Sequence, residues 1–125
     1  MSPEELLAAF FDAVSFKPRP DYERLRELFV PEGLLIRPPD VMGLDAFIAP
    51  RAQSVDSGEL TEFEEYELDG RTDVFGDVAH RFSRYGKRGV RNGEPFGARG
   101  AISTQFARTP SGWRMTSMAW DDAPD

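Results

Sequence analysis

Few side chains in this sequence could do chemistry, and three of them can share one surface. His80 is the single histidine, so it is the one side chain whose ordinary pKa lies near neutrality. Asp122 stands two positions after Trp120 in an alternating stretch, which puts acid and indole on one face of a strand. Arg37 closes the apolar run Leu34-Leu35-Ile36, and its planar fork of donors suits a carboxylate or a phosphate. Together, His80 could move a proton, its pKa lowered by burial or raised by Asp122, while Arg37 holds an anionic group. Each also has a plainer role. His80 can be a core residue bonded to a neighbour, Arg37 the structural partner of Asp122, and Trp120 a plug closing the core.

Other chemistry is excluded by what the chain lacks. One histidine and no cysteine rule out a histidine cluster, thiolate metal sites, a cysteine nucleophile and disulfides. The segment from Gly97 to Gly100 lies beside a strand with no helix after it, so it is not a phosphate loop. A Gly-x-Ser-x-Gly elbow is also missing. No cofactor is expected.

These residues need a sheet to carry them. Val78, His80, Phe82 and Arg84 alternate with Ala79, Arg81, Ser83 and Tyr85, and Ile102, Thr104 and Phe106 repeat the period, as do Met118, Trp120 and Asp122. The reading places Val78, His80, Phe82, Thr104, Phe106, Met118 and Trp120 on one concave face, opposite Phe10 and Val14 of the first helix. A ligand would meet those residues and Arg37, because a concave apolar surface with a few polar groups is what a small-molecule pocket needs. Tyr85, Ser103 and Gln105 fall on the convex face.

The remaining elements follow in order. Ser2, Pro3 and Glu5 form a capping box before a helix with Leu6, Phe10 and Val14 on one side. Asp21 is read as the cap of a short second helix with Tyr22, Leu25, Leu28 and Phe29 inward, ended by Pro31-Glu32-Gly33. Leu34 to Arg37 is a short buried strand stopped by Pro38-Pro39. A third helix spans Gly43 to Ser54, with Pro50 expected to kink or break it. From Glu59 the period becomes that of strands, with turns at Phe75-Gly76-Asp77, Asn92-Gly93 and Pro110-Ser111-Gly112. Asp69-Gly70 is then a bulge or bend inside a long strand. Asp121 to Asp125 reads as a fraying polar tail. Helices first and a four-strand meander after them mean α+β, in one domain over 1–125.

A net charge of −7 argues against nucleic acid, which needs a basic surface. The basic run Arg81, Arg84, Lys87, Arg88 and Arg91 is expected to pair across strands with Glu59, Glu62, Glu64, Glu65 and Glu67. No apolar run approaches the roughly 20 residues of a membrane helix, and the N-terminus is not a signal peptide. The expectation is a soluble cytoplasmic protein.

Three stretches carry a family likeness: Phe75-Gly76-Asp77-Val78-Ala79-His80-Arg81-Phe82-Ser83, Arg99-Gly100-Ala101-Ile102-Ser103-Thr104-Gln105-Phe106, and Gly112-Trp113-Arg114-Met115 leading to Trp120-Asp121-Asp122. With the first helix and the strand at Gly33 to Pro38, they resemble the nuclear transport factor 2-like superfamily over nearly the whole chain. Within it the likeness is to an uncharacterised bacterial subgroup, beside the SnoaL-like polyketide cyclases and ketosteroid isomerase. It implies a cone-shaped α+β fold, cystatin-like, with N-terminal helices packed on a strongly curved, mostly antiparallel sheet. It also implies a homodimer through the convex face. The isomerase places a tyrosine, a carboxylate and a protonated aspartate where this chain has Phe10, Arg37 and Thr104, so that activity does not carry over. The cyclases use a pocket carboxylate, for which Asp122 or Asp121 is nearest.

Three functions follow from these readings. The first is a domain binding a small hydrophobic molecule, aromatic or polyketide-like. The second is a cofactor-free isomerase, cyclase or hydrolase using His80 with Asp122 and Arg37. The third is a dimerisation or partner-binding module without chemistry.

Overall fold

Ser2 starts the first helix by capping it. The amide of Glu5 donates to Ser2 Oγ at 3.1 Å, and the amide of Ser2 donates to Glu5 Oε1 at 2.9 Å, closing the capping box with Pro3 in the first turn. The structure, a computed structural model, describes residues 1–123. Helix α1 spans Pro3–Val14 and buries Leu6, Leu7, Phe10, Phe11 and Val14. A 3₁₀ turn over Tyr22–Arg24 and a single-turn helix α2, Leu25–Leu28, come next. Asp21 makes no side-chain cap there, contrary to expectation. Tyr22, Leu25, Leu28 and Phe29 are nevertheless buried as their spacing required.

Helix α3 runs through Leu44–Asp56 with Pro50 inside it, so of the expected kink or break there is no break. A proline removes one backbone donor. Here Phe47 and Ile48, just before it, are core residues and hold that turn against the sheet, and the Phe47 carbonyl also accepts Arg51 Nη1 at 2.9 Å.

Strand β1, Phe29–Arg37, includes Pro31 and Gly33, which had been read as a helix end. A register shift between Phe29 and Leu34 accommodates them as an irregularity in the ladder. Strand β2, Asp40–Met42, was not foreseen; it pairs back on β1 across the Pro38-Pro39 turn. The meander then follows as β3 Leu60–Phe75, β4 Val78–Arg91, β5 Glu94–Thr109 and β6 Gly112–Asp122. Its hairpins turn at Gly76-Asp77, at Asn92-Gly93 and before Gly112. Asn92 and Gly93 have φ of 51° and 78°, as a two-residue turn between right-twisted strands requires. Asp69-Gly70 lies within β3 just past a shift between Glu67 and Asp69, a bulge rather than a hairpin.

The six-stranded sheet has the order β2-β1-β6-β5-β4-β3, antiparallel except for β1 beside β6. The helices cover its concave side, so the fold is α+β on a curved, mostly antiparallel sheet. Asp121 and Asp122, expected to fray, pair in β6 with Ala101 and Gly100, and the Ala123 amide donates to the Arg99 carbonyl at 2.7 Å. Residues 124–125 of that expected tail lie outside the described residues. Among the described residues, no helix is long and apolar enough to cross a membrane.

Candidate functional site

Between α1, α3 and the concave sheet lies a cavity of about 170 Å³. Phe10 and Val14 from α1, Phe47 from α3, Ile102 from β5, and Met118 and Trp120 from β6 form its apolar wall. The Trp120 and Phe47 rings meet edge to face, 5.9 Å apart, which fixes one corner. Arg37, Arg51, Glu65 and Lys87 make the polar side.

Asp122 is the hub of that side. Its carboxylate accepts from Tyr85 Oη at 2.6 Å, Arg37 Nη2 at 2.9 Å and Lys87 Nζ at 3.1 Å. Burial alone would raise the Asp122 carboxyl, but hydrogen bonds from Tyr85 and Lys87 and the charges of Lys87 and Arg37 outweigh it. The acid is held below its ordinary value and stays ionised. Burial, then the bond to Asp122 and its charge, push the Tyr85 phenol far up, so it remains a donor. Tyr85 reaches Asp122 because residue 100, its partner on β5, is glycine. A Cβ there would collide with the Tyr85 hydroxyl and with the Asp121 carbonyl.

Glu65 has no such partners. Ser15 fixes its backbone: the Ser15 hydroxyl donates to the Phe11 carbonyl at 2.7 Å and accepts from the Glu65 amide at 3.0 Å. The neighbouring Phe16 amide donates to the Phe63 carbonyl at 2.9 Å, so the end of α1 is stitched to β3 at this point. Its carboxyl faces the cavity and takes no hydrogen bond from any described residue. The cavity reaches the side chain, which is therefore half-buried by surface, yet protein surrounds it closely enough to strip most of its hydration. Desolvation raises its pKa to about 7; Lys87 and Arg51 oppose that rise, and the negative charge of Asp122 adds to it.

Arg51 is the second unusual group. Its guanidinium lies 3.7 Å from the centre of the Phe47 ring and bonds the Phe47 carbonyl, but pairs with no carboxylate among the described residues. Burial lowers its pKa, although a guanidinium remains a cation regardless. No three acids, histidines or cysteines among the described residues are placed to hold a metal.

The structure brings together some of the expected residues and separates others. Phe10, Val14, Arg37, Met118 and Trp120 line the cavity, and Asp122 pairs with Arg37 beside it. Thr104 and Phe106 are on the concave face but sit deeper, in the packed core. Val78, His80 and Phe82 are on the outer face. His80 is about half exposed, and its Nε2 lies 3.1 Å from Asp73, so the trio His80, Asp122 and Arg37 does not exist. Tyr85, assigned to the convex face, is fully buried in the concave one.

One register explains all four displacements. Arg91 pairs with Glu94 across the Asn92-Gly93 turn, so even-numbered β5 residues face odd-numbered β4 residues: Ser83 opposite Ile102, Arg81 opposite Thr104, Ala79 opposite Phe106. Since Ile102, Thr104 and Phe106 point inward, so must Ala79, Arg81, Ser83 and Tyr85. Arg81 tolerates this because Glu67 holds it at 2.6 Å and Thr72 at 2.8 Å.

Glu65 was missed because it was counted among the surface acids. Arg81, Arg88 and Arg91 do pair with Glu67, Glu64 and Glu59 as that view required. Lys87, which stands opposite Glu65 in the ladder, goes to Asp122 instead. The readable signal was Phe63, two residues before Glu65 on the same face.

Neither a family model nor a curated protein matches the sequence. Solved structures do match the fold. It is similar to a nuclear transport factor 2-like superfamily protein from Salmonella enterica, with TM-score 0.81 and 18% identity over 97% of this chain and 88% of that one. It is also similar to a nuclear transport factor 2-like protein of unknown function from Prochlorococcus, with TM-score 0.76 and 15% identity over 100% and 96%. A third, nuclear transport factor 2-like with a cystatin-like fold and from Novosphingobium aromaticivorans, gives TM-score 0.73 and 22% identity over 93% and 76%. Identities this low show the fold alone.

Proposed function

We propose that this nuclear transport factor 2-like fold serves to hold a small, largely hydrophobic molecule between α1, α3 and the concave sheet. Glu65 carries the reading. A desolvated carboxyl facing a cavity with no protein donor is costly to maintain unless a ligand or water satisfies it. The size fits a single ring, since an apolar cavity of about 150 Å³ admits benzene.

The test is thermal stability with benzamide, a neutral one-ring probe, in wild type and in Val14→Phe, which fills the cavity from α1. Saturation at a hundred times Kd adds about 2.7 kcal/mol to wild type, and the variant should show no shift. No shift in wild type with either benzamide or its charged counterpart benzoate, or equal shifts in wild type and variant, would sink the proposal.

A second reading rests on the same carboxyl. An acid at about 7 is matched to general acid–base catalysis at neutral pH, so a cofactor-free isomerase, cyclase or hydrolase would work through Glu65 rather than His80. The partner proposal is a second copy of this chain on the convex face. There Phe82 and Val78 are 58% and 56% exposed, in a row with Ser103 and Gln105. Exposed apolar side chains on a continuous sheet surface are what a homodimer covers.

A further inference from the structure

The charges around the cavity do not balance. Arg37 and Lys87 both spend their charge on the single carboxylate of Asp122, while Arg51 has no acid among the described residues. Arg91, also in the lining, is already paired with Glu59. That leaves three cations, Arg37, Arg51 and Lys87, against Asp122 and Glu65. Even with Glu65 ionised the interior is one positive charge in excess, and with Glu65 protonated it is two.

We infer that the cavity selects a small monocarboxylate, its apolar body against Phe10, Phe47 and Trp120 and its carboxylate taken by Arg51 and Lys87. This rests on the cavity being a ligand site and adds the ligand's chemical class.

Arg51 is prepared for such a head group. Stacking on Phe47 holds its plane, and one donor is tied to the Phe47 carbonyl, leaving the rest of the fork for a two-pronged bond to a carboxylate. Lys87 is about 15% exposed and comes from the opposite wall, β4. Both act on the charge of Glu65, so an anion placed near them is also near that carboxyl. Tyr22 lines the same side, and burial raises its phenol pKa, keeping it protonated as a further donor.

An arriving carboxylate favours the protonated form of Glu65, which can then donate to it. The groups facing Glu65 are Lys87 on β4, Asp122 on β6 and Arg51 on α3. Asp122 is locked in its own bonds, which leaves Glu65 as the acid that takes up the proton. A monoanion is favoured over a dianion because Arg51, Lys87 and the Glu65 proton take up one carboxylate, and a second on the same ligand would be left against the apolar wall of Phe10, Phe47 and Trp120.

The experiment compares benzoate with benzamide, equal in shape and different in charge. Trp120 lines the cavity while Trp113 lies under Arg108, so Trp113→Phe makes Trp120 the sole fluorescent reporter. At pH 7 benzoate should bind at least tenfold tighter than benzamide. In Arg51→Gln that ratio should fall to near one. Should Arg51→Gln not fold, the salt dependence of the wild-type ratio stands in for it: raising ionic strength should weaken benzoate and leave benzamide unchanged. Benzamide binding as well as benzoate, or better, overturns the monocarboxylate inference and leaves the cavity reading intact. If neither probe quenches Trp120, both fall.

Discussion

Replacing Glu65 with glutamine tests the electrostatic account directly. Glutamine keeps the shape and removes the titration. In the unfolded chain the glutamate titrates near 4.5, and in the folded protein at about 7. The protonated form is therefore favoured by folding. Below pH 4.5 the group costs nothing; as pH rises towards 7 the folded state must keep a proton or bury a charge, and stability falls. Above 7 the loss is complete. About 1.36 kcal/mol for each pKa step makes this about 3 kcal/mol, an upper value because water entering the cavity screens the charge.

Urea unfolding of wild type and Glu65→Gln at pH values from 4 to 8.5 measures it, since the other carboxylates cancel in the difference. The variant should match wild type at pH 4 and gain stability over it steadily, levelling off above pH 7. A difference that stays flat with pH, or grows towards acid, would show that Glu65 is hydrated or paired in the folded protein.

Two other outcomes are expected. If Glu65 moves protons on a bound ligand, exchange of the methyl protons of acetophenone into deuterated buffer, followed by proton NMR, should slow at least about a hundredfold in Glu65→Gln; equal rates remove that role. Phe82→Lys should convert a dimer into a monomer in sedimentation velocity, because it puts a charge on the outer face within the proposed contact. A wild type that is monomeric at tens of micromolar, or a variant that still dimerises, refutes the convex-face pairing.

How much of this could be read beforehand follows from particular residues. The α1 helix was legible because the capping box of Ser2 and Glu5 acts locally, and the hairpins because Gly76-Asp77 and Asn92-Gly93 adopt their turns without help from distant contacts. The facing of β4 was legible too, but from two strands together rather than one. Alternation in β4 alone has two solutions, and Phe82 and Val78 made the wrong one look better, because the outer face is itself apolar. Parity across the Asn92-Gly93 turn, combined with Ile102 and Phe106 pointing inward, forbids His80 from the interior.

The candidate acid was less accessible. Glu65 differs from Glu64 and Glu67 by what packs around it, and that depends on where α1 and α3 settle. Pro50 misled for the opposite reason: local preference allowed a break there, and the helix continues through it with Phe47 and Ile48 held in the core.

The vacancy opposite Tyr85 has a consequence beyond this molecule. Positions 85 and 100 draw on one space, so a relative with alanine or anything bulkier at 100 cannot also keep a tyrosine ring at 85 in this pose. Such a chain would lose the phenol that supports Asp122, and Arg37 and Lys87 would have to hold that carboxylate alone. Among relatives of this fold, the two positions should therefore change together, and the pair tells which members share this arrangement of charge.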